Sequence, residues 1–547
     1  MNTLNGAKYL IDCLSKEGVD VIFGYPGGAV IPLFDALYES EDFIQIRTCH
    51  EQGASHAADG YARTTGKVGV CIATSGPGAT NIITGLATAF MDSVPVIAIT
   101  GQVGKSLLGK DSFQEIDITG LTMGITKHNF LVTDANDLKD VVSKAFYIAQ
   151  IGRPGPVLID ISKDAFMQEI ETKEYHKIDK TTDKRHLNYQ AEIDKVVNLI
   201  KSSRQPVIYA GGGVIKSKSW DSLHELSTKH NIPVVNSIMG LGSFDRNSNL
   251  SYGIVGMHGD KDANMLCYES DLILGVGVRF SDRAIGNRNG FTKNATIVHI
   301  DVDETELGKN IDVSYEILGD LNEIMNEIST KLMEYKSPHT RSNDYLAKDY
   351  EGFHPKNILT VTQKSVPENT VVVTDVGQHQ IWTAKFWKFS LPMKFATSGG
   401  LGTMGFGMGA ALGAKLGNPD SHVLLITGDG SFRMNHPELL TLSRHNIPIT
   451  ILLFNNSSLG MVRQWQNLFC NSRYAQTDIN DGLNLEFLSK AYGINYYKAS
   501  DLDTLELILK VQDKSQINLI ECLLDSDIGA YPIVPPGKSI DTLLTED

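Results

Sequence analysis

Residues Val423–Trp465 read VLLITGDGSFRMNHPELLTLSRHNIPITILLFNNSSLGMVRQW. An apolar run from Val423 to Thr427 stops at Gly428-Asp429-Gly430. A helix-like segment follows, and a second apolar run, Ile449 to Phe454, stops at Asn455-Asn456. Two short runs rich in β-branched side chains, flanking a helical pattern, predict a βαβ unit with parallel strands. Both strands of such a unit end on the same side of the sheet, where open α/β folds bind ligands. Asp429 and Asn456 are 27 positions apart, yet each sits just past a strand's carboxyl end, so they can meet. A carboxylate and an amide oxygen are hard ligands suited to Mg²⁺, which takes a few protein oxygens and completes its shell with phosphate and water. Gly-Asp-Gly after a strand also has a plainer reading: glycine tolerates positive φ in a tight turn, and aspartate caps the next helix.

The chain has 547 residues, room for about three or four domains of ordinary size. Its 42% hydrophobic and 21% charged residues describe an ordinary globular protein. A formal charge of −15 opposes nucleic-acid binding, which calls for a basic face. No apolar run reaches the roughly 18–20 residues of a membrane span. The start, MNTLNGAKYLIDCLSKEG, lacks the basic head and apolar core of a signal peptide, so a cytoplasmic protein is expected. Six cysteines are scattered without metal-ligand spacing, and most lie in apolar surroundings and read as packed thiols.

Strand and helix patterns alternate through three blocks, residues 1–165, 189–330 and 354–547, separated by polar, charge-rich stretches at 166–188 and 331–353 read as linkers. The alternation predicts an α/β protein of three doubly wound domains with mainly parallel sheets. In the first block, strands at Val19–Phe23 and Val68–Thr74 each run into a glycine-rich turn and a helix. There, Cys49–Gly66 (CHEQGASHAADGYARTTG) carries small residues at helical spacing with Glu51 at its start, where an acid suits the helix dipole. The second block ends its strands in Gly211–Gly213, Gly275–Gly277 and Asp301. The third restarts with the helix–strand–glycine-turn order of the first. Its turn Asp375–His379 and glycine run Ser398–Gly409 offer backbone N–H groups able to cradle phosphates. The prolines of Tyr531–Gly537 predict an extended tail, either a lid over the site or a surface segment.

GDG followed 25–30 residues later by NN resembles the thiamine diphosphate (ThDP) signature, and NNSSLGMVRQWQ is similar to the form it takes in the acetohydroxyacid (acetolactate) synthase large-subunit family. The resemblance runs nearly end to end. It implies decarboxylation of pyruvate and transfer of the two-carbon unit to a second 2-ketoacid, in branched-chain amino-acid biosynthesis. It also implies pyrimidine-binding, FAD-binding and diphosphate-binding domains for the three blocks in that order. Glu51 then works the aminopyrimidine ring, a task for a carboxyl in a dry pocket. Asp429, Asn456 and the Ser458 carbonyl hold Mg²⁺, while Gln378, His379, Gly428, Gly430 and Ser431 meet the diphosphate. Met404, with Gly402 in GGLGTMGFG, props the cofactor in a bent form. Tyr25, Pro77 and Asn81 line the pyrimidine side. Arg283 takes the acceptor carboxylate, and Phe113, Gln114, Lys127, Met461 and Trp465 shape the substrate entrance. FAD is implied at Gly211, Gly212, Met257, His258, Gly277, Arg279, Asp301 and Asp320, with Arg153 beside it. The family further implies a homodimer or homotetramer with sites at the subunit interface, and a small regulatory subunit.

Four positions depart from the family pattern: Gly104 stands where proline is usual, Lys110 for threonine, Ser112 for alanine and Ser281 for aspartate. A catabolic acetolactate synthase, or another ThDP-dependent carboligase or decarboxylase, is the nearest alternative reading. A non-catalytic ThDP-fold subunit is the other, which retention of Glu51 and Asp429 opposes.

Overall fold

The stretch quoted first forms two parallel strands, Val423–Gly428 and Thr450–Asn455, in register from Leu424 opposite Thr450 to Gly428 opposite Phe454. The segment between them is two short helices, Asp429–Asn435 and Glu438–Arg444, and not one. Pro437 sits at the break, where proline lacks the N–H that a continuing helix needs. The computed structural model describes residues 3–179, 189–341 and 349–546.

Three six-stranded sheets, parallel throughout, lie within residues 21–162, 206–318 and 371–523. Numbering strands by chain order within each sheet, the first and third sheets have the same order, 2-1-3-4-6-5. That identity accounts for the repeated helix–strand–turn pattern at the start of both blocks. The middle sheet runs 3-2-1-4-5-6, the order of dinucleotide-binding folds, with its reversal between the strands Pro206–Ala210 and Leu272–Val276.

The first and third units share one hydrophobic core. Its centre is the contact of helix Glu51–Thr65 with helix Phe406–Gly417. Their backbones nearly touch: a Cβ on Gly60 would lie 2.2 Å from the Ala410 carbonyl oxygen, and one on Gly413 would lie 1.8 Å from that of Ala57. Glycine is required there by contact, since no side chain fits between the helices.

Two expectations change. The polar stretch at 166–188 begins as structure: Glu169–Glu171 pairs antiparallel with Thr3–Asn5, because Ile170 is buried between two exposed acids. Residues 180–188, and 342–348 of the second stretch, lie outside the described residues. The proline-rich tail is not a loose surface segment. Ile533, Val534 and Ile540 are buried, and the Val534 N–H donates to the Met257 carbonyl at 2.7 Å, so the tail is fastened to the middle unit. All six cysteines are free; Cys13, Cys71, Cys267 and Cys522 are buried, whereas Cys470 is exposed.

Candidate active site

A cleft opens at the carboxyl ends of the third sheet's strands, and every residue lining it lies between Val376 and Val462. Asp429, Asn456, Ser458, His379, Met404 and Met461 all face it. Parallel pairing of Val423–Gly428 with Thr450–Asn455 ends both strands at the cleft, where Asp429 and Asn456 share its lining, as the strand-end argument requires. Glycines keep the cleft open: a Cβ on Gly428 would press on the His379 ring at 2.8 Å, and one on Gly430 would come within 2.7 Å of Leu459.

The polar groups in this cleft are short of partners. Asp429 is 6% exposed; its Oδ1 accepts the Gly430 N–H at 3.0 Å, while Oδ2 is buried with no hydrogen bond. Burial pushes its carboxyl up to about 6. His379 Nε2 is also buried and unpartnered, and burial drives its ring down to about 3, so the imidazole is neutral. A buried carboxylate oxygen without a donor is costly unless a cation meets it. Among the described residues no three His, Cys, Asp or Glu side chains cluster as a metal site. A cation at Asp429 would therefore draw on amide and carbonyl oxygens, the donor set of a hard ion such as Mg²⁺.

Other expected phosphate contacts have protein partners. The Ser431 hydroxyl donates to the Val376 carbonyl at 2.7 Å. The Gln378 amide donates to Gln464 and to the Ile528 carbonyl, and accepts from Asn456 at 3.3 Å. Of the glycine run Ser398–Gly409, Gly409 lies in helix Phe406–Gly417, where a Cβ would meet the Gly53 carbonyl oxygen at 2.8 Å. It serves helix packing and not a phosphate cradle.

Met404 is held by the loop around it. The Gly405 N–H donates to Asp375 at 2.8 Å, and Gly399 and Gly400 donate to Asp92 of the first unit at 3.1 and 2.8 Å. Asp92 is in turn paired with the buried Arg63. Sequence reasoning missed Asp92 entirely and read Asp375 only as part of a turn.

Glu51 begins its helix, with His50 as N-cap and Gly66 closing the far end in the left-handed conformation. Asn81 Nδ2 donates to Glu51 Oε2 at 3.0 Å, and Gly78 is so close that a Cβ there would lie 3.2 Å from Oε1. Pro77 and Tyr25 follow the ends of neighbouring strands, Gly69–Ala73 and Val21–Gly24, so the four expected pyrimidine-side residues share one edge of the first sheet. That edge is open, with Tyr25 39% exposed.

The substrate set divides. Arg283 stands over the Trp465 ring at 5.8 Å and donates to the Met257 sulfur at 3.2 Å, bringing a middle-unit guanidinium to the rim formed by helix Gly460–Phe469. Phe113, Gln114 and Lys127 lie on the first unit. Phe113 is 88% exposed, and Gln114 takes a positive φ against the Gly76 backbone. Lys127 donates to the Ile151 carbonyl, and burial pulls its amine down to about 8. Lys110 and Ser112 belong to the same outer loop, their N–H groups gripped by the Glu115 carboxylate. Gly104 has φ −61, a value that proline shares.

In the middle sheet Gly211, Gly277 and Asp301 stand at the ends of three adjacent strands, beside the reversal of strand order. The Gly211 N–H donates to the Val276 carbonyl, and the two glycine turns pack backbone to backbone. Gly212 opens the short helix that follows the first of these turns. Burial raises the Asp301 carboxyl to about 6. His258 Nδ1 is buried without a partner, and Arg279 reaches across to the Met91 carbonyl. Two expected flavin residues have other tasks. Arg153 ties Ser93 to Glu306, both at 2.7 Å, and Asp320 caps helix Leu321–Leu332. Ser281 precedes the helix Asp282–Ile285 without capping it through its side chain.

Three family descriptions match in order: thiamine pyrophosphate enzyme, N-terminal TPP binding domain, over residues 4–121; central domain over 193–328; and C-terminal TPP binding domain over 375–522. The chain is 42% identical to a probable acetolactate synthase large subunit of Methanococcus aeolicus, covering 99% of this chain and 95% of the relative. A second such protein, from Methanocaldococcus jannaschii, is 42% identical with the same coverage. The acetolactate synthase large subunit of Lactococcus lactis is 39% identical over 99% of this chain and 96% of its own length. With three domains matched in sequence and identity sustained from end to end, the chain belongs to the acetolactate synthase large-subunit family of thiamine pyrophosphate enzymes.

Proposed function

We propose that the chain makes acetohydroxyacids with ThDP and Mg²⁺, joining a two-carbon unit from pyruvate to a second 2-ketoacid. Pyruvate as acceptor gives 2-acetolactate and 2-ketobutyrate gives 2-aceto-2-hydroxybutyrate, reactions of branched-chain amino-acid biosynthesis in the cytoplasm. The observation that carries this reading is the buried, unpartnered Asp429 Oδ2 beside Asn456 in a glycine-floored cleft.

When bound, ThDP supplies the stabilised carbanion that makes decarboxylation and carboligation accessible. Asp429, Asn456 and the Ser458 carbonyl would hold Mg²⁺, whose charge would offset that of the diphosphate, and His379, Gly430 and Ser431 would lie beside it. Met404, in a loop fixed through Asp375 and Asp92, would brace the cofactor. Glu51, oriented by Asn81, would be the group that exchanges a proton with the aminopyrimidine ring. Arg283 receives the carboxylate of the second ketoacid, and Trp465 and Met461 set the room beside it. A pocket distinguishes one methylene by only about 1–3 kcal/mol, so both acceptors are turned over.

Residues 1–165, 189–330 and 354–547 serve as pyrimidine, flavin and diphosphate domains in this reading. FAD takes the crevice at the middle sheet's reversal, with Gly211, Gly212, Met257, His258, Gly277, Arg279 and Asp301 around it. The open edge bearing Glu51 and Tyr25, together with a cleft lined by one unit, supports a site completed between two copies of the chain. We extend the relatives' designation as large subunits to this chain, which implies a small regulatory partner.

The test is product analysis of the purified enzyme given pyruvate and 2-ketobutyrate with ThDP and Mg²⁺. Both acetohydroxyacids form, and 2-aceto-2-hydroxybutyrate exceeds its share of the substrate mixture. If neither product appears, the reading fails. Colourless protein that is fully active without added flavin removes its FAD component.

A further inference from the structure

Glu438 opens the second short helix of the stretch quoted first, in the run His436-Pro437-Glu438-Leu439-Leu440. It is 1% exposed, and its carboxylate leaves its own unit. Both oxygens accept the Cys49 N–H, at 3.1 and 3.0 Å; Oε1 also accepts the His50 N–H at 3.0 Å, and Oε2 accepts the Thr441 hydroxyl at 2.6 Å. Cys49 and His50 are the two residues before Glu51, and His50 is the N-cap of its helix. Space for the carboxylate comes from Gly53 on the first turn, where a Cβ would stand 2.2 Å from Oε1. An acid is a poor choice for filling a core, because burying its charge is costly unless donors meet it. Here three donors converge on it, two of them backbone N–H groups that lead directly into Glu51.

We propose that Glu438 is a positioning residue for Glu51. By gripping the Cys49–His50 backbone it sets where the helix begins and so where the Glu51 carboxylate stands. The inference rests on the reading of Glu51 as the group that works the aminopyrimidine. Glu438 follows the Asp429–Asn435 helix in the chain, so the same grip ties the metal-binding end of a chain to that chain's own Glu51.

Two variants test it independently. Glu438→Gln keeps the shape but turns an amide NH₂ toward the backbone donors. Gly53→Ala leaves Glu438 untouched, displaces its carboxylate, and favours helix formation, so it carries the test where Glu438→Gln does not fold. In the cofactor-free protein, amide hydrogen exchange at Cys49 and His50 speeds up by about tenfold or more in both variants. The strand Thr450–Asn455 keeps its protection. In the ThDP–Mg²⁺ enzyme, kcat for pyruvate and the exchange rate of the cofactor's C2 proton fall together by about 10–100-fold, part of the roughly 10²–10⁴-fold that a positioned acid–base group contributes. The KM for pyruvate and the ThDP affinity hold within about threefold, since neither is a transition-state effect. Unchanged amide protection in both variants overturns the proposal, as does a kcat loss that saturating ThDP restores. Glu51→Gln is the reference. If it leaves C2-proton exchange intact, the reading of Glu51 fails; if it stops exchange while both latch variants behave as wild type, the latch alone fails.

Discussion

Asp429 shows how a single buried carboxyl couples pH to stability. Burial raises its pKa to about 6, against an ordinary value near 3.9. The folded state holds this proton more tightly than the unfolded chain, so its contribution to stability is favourable below pH 4. It is lost as pH rises through 6. The difference corresponds to about 3 kcal/mol at most, present as a cost at neutral pH in the metal-free protein. Asp429→Asn removes that cost. The metal-free variant is expected to melt higher than wild type at pH 7.5, with the difference fading by pH 4, while the rise in Tm on adding Mg²⁺ with ThDP disappears. Scanning calorimetry at the two pH values checks both parts; a variant that still gains stability from Mg²⁺ takes Asp429 out of the metal site. The meeting of Asp429 with Asn456 was legible because both residues end adjacent parallel strands, a local rule. Glu438 and Asp92 were not, since their backbone partners lie 389 and 307 positions away and an acid in a helix pattern looks solvated until its neighbours are known.

At the scale of elements, strand and helix patterning carried most of the architecture, including the likeness of the first and third blocks. It failed where tertiary contact decided the outcome. Ile170 turned a polar stretch into an edge strand, and buried Ile533 and Val534 fastened a tail whose prolines alone implied only an extended chain. The glycines of helix Phe406–Gly417 are the clearest case. Read along the sequence, those up to Gly409 belong to a run that suggests phosphate binding, yet Gly409, like Gly413 beyond it, serves the approach of helix Glu51–Thr65. Gly413→Ala places a methyl group 1.8 Å from a carbonyl oxygen that belongs to a helix backbone and cannot swing away. Overpacking of this kind costs about 1–3 kcal/mol, and the contact here lies at the severe end. A Tm lowered by several degrees is expected, with the first and third units loosened together. Gly124→Ala is the control, since nothing lies within 4 Å of its added Cβ and its φ is ordinary; equal melting of the two variants argues against the helix contact as the junction of the units.

At the scale of the whole molecule the two halves of the proposed site are separate, for no first-unit residue lines the cleft among the described residues. The diphosphate half is a cleft lined between Val376 and Val462, and the pyrimidine half is an open edge where Tyr25 is 39% and Phe113 88% exposed. Within one chain Glu438 fixes the distance between them, so they do not close on each other by bending the chain. The proposed pairing of two copies about a twofold axis would resolve this, each lending its pyrimidine edge to the other's cleft. The arrangement has a consequence that a self-contained site lacks. Glu51→Gln and Asp429→Asn each inactivate a chain when present in every subunit. In a mixed dimer of the two variants, one site collects both defects and the other has the intact Glu51 of one chain and the intact Asp429 of its partner. Random association makes half the dimers mixed, so unfolding and refolding equal amounts together restores about a quarter of wild-type activity. If each chain completed its own site, every site in the mixture would carry one defect and activity would stay at the level of the separate variants. Measuring acetohydroxyacid formation before and after co-refolding, with each variant refolded alone as reference, decides between the two arrangements.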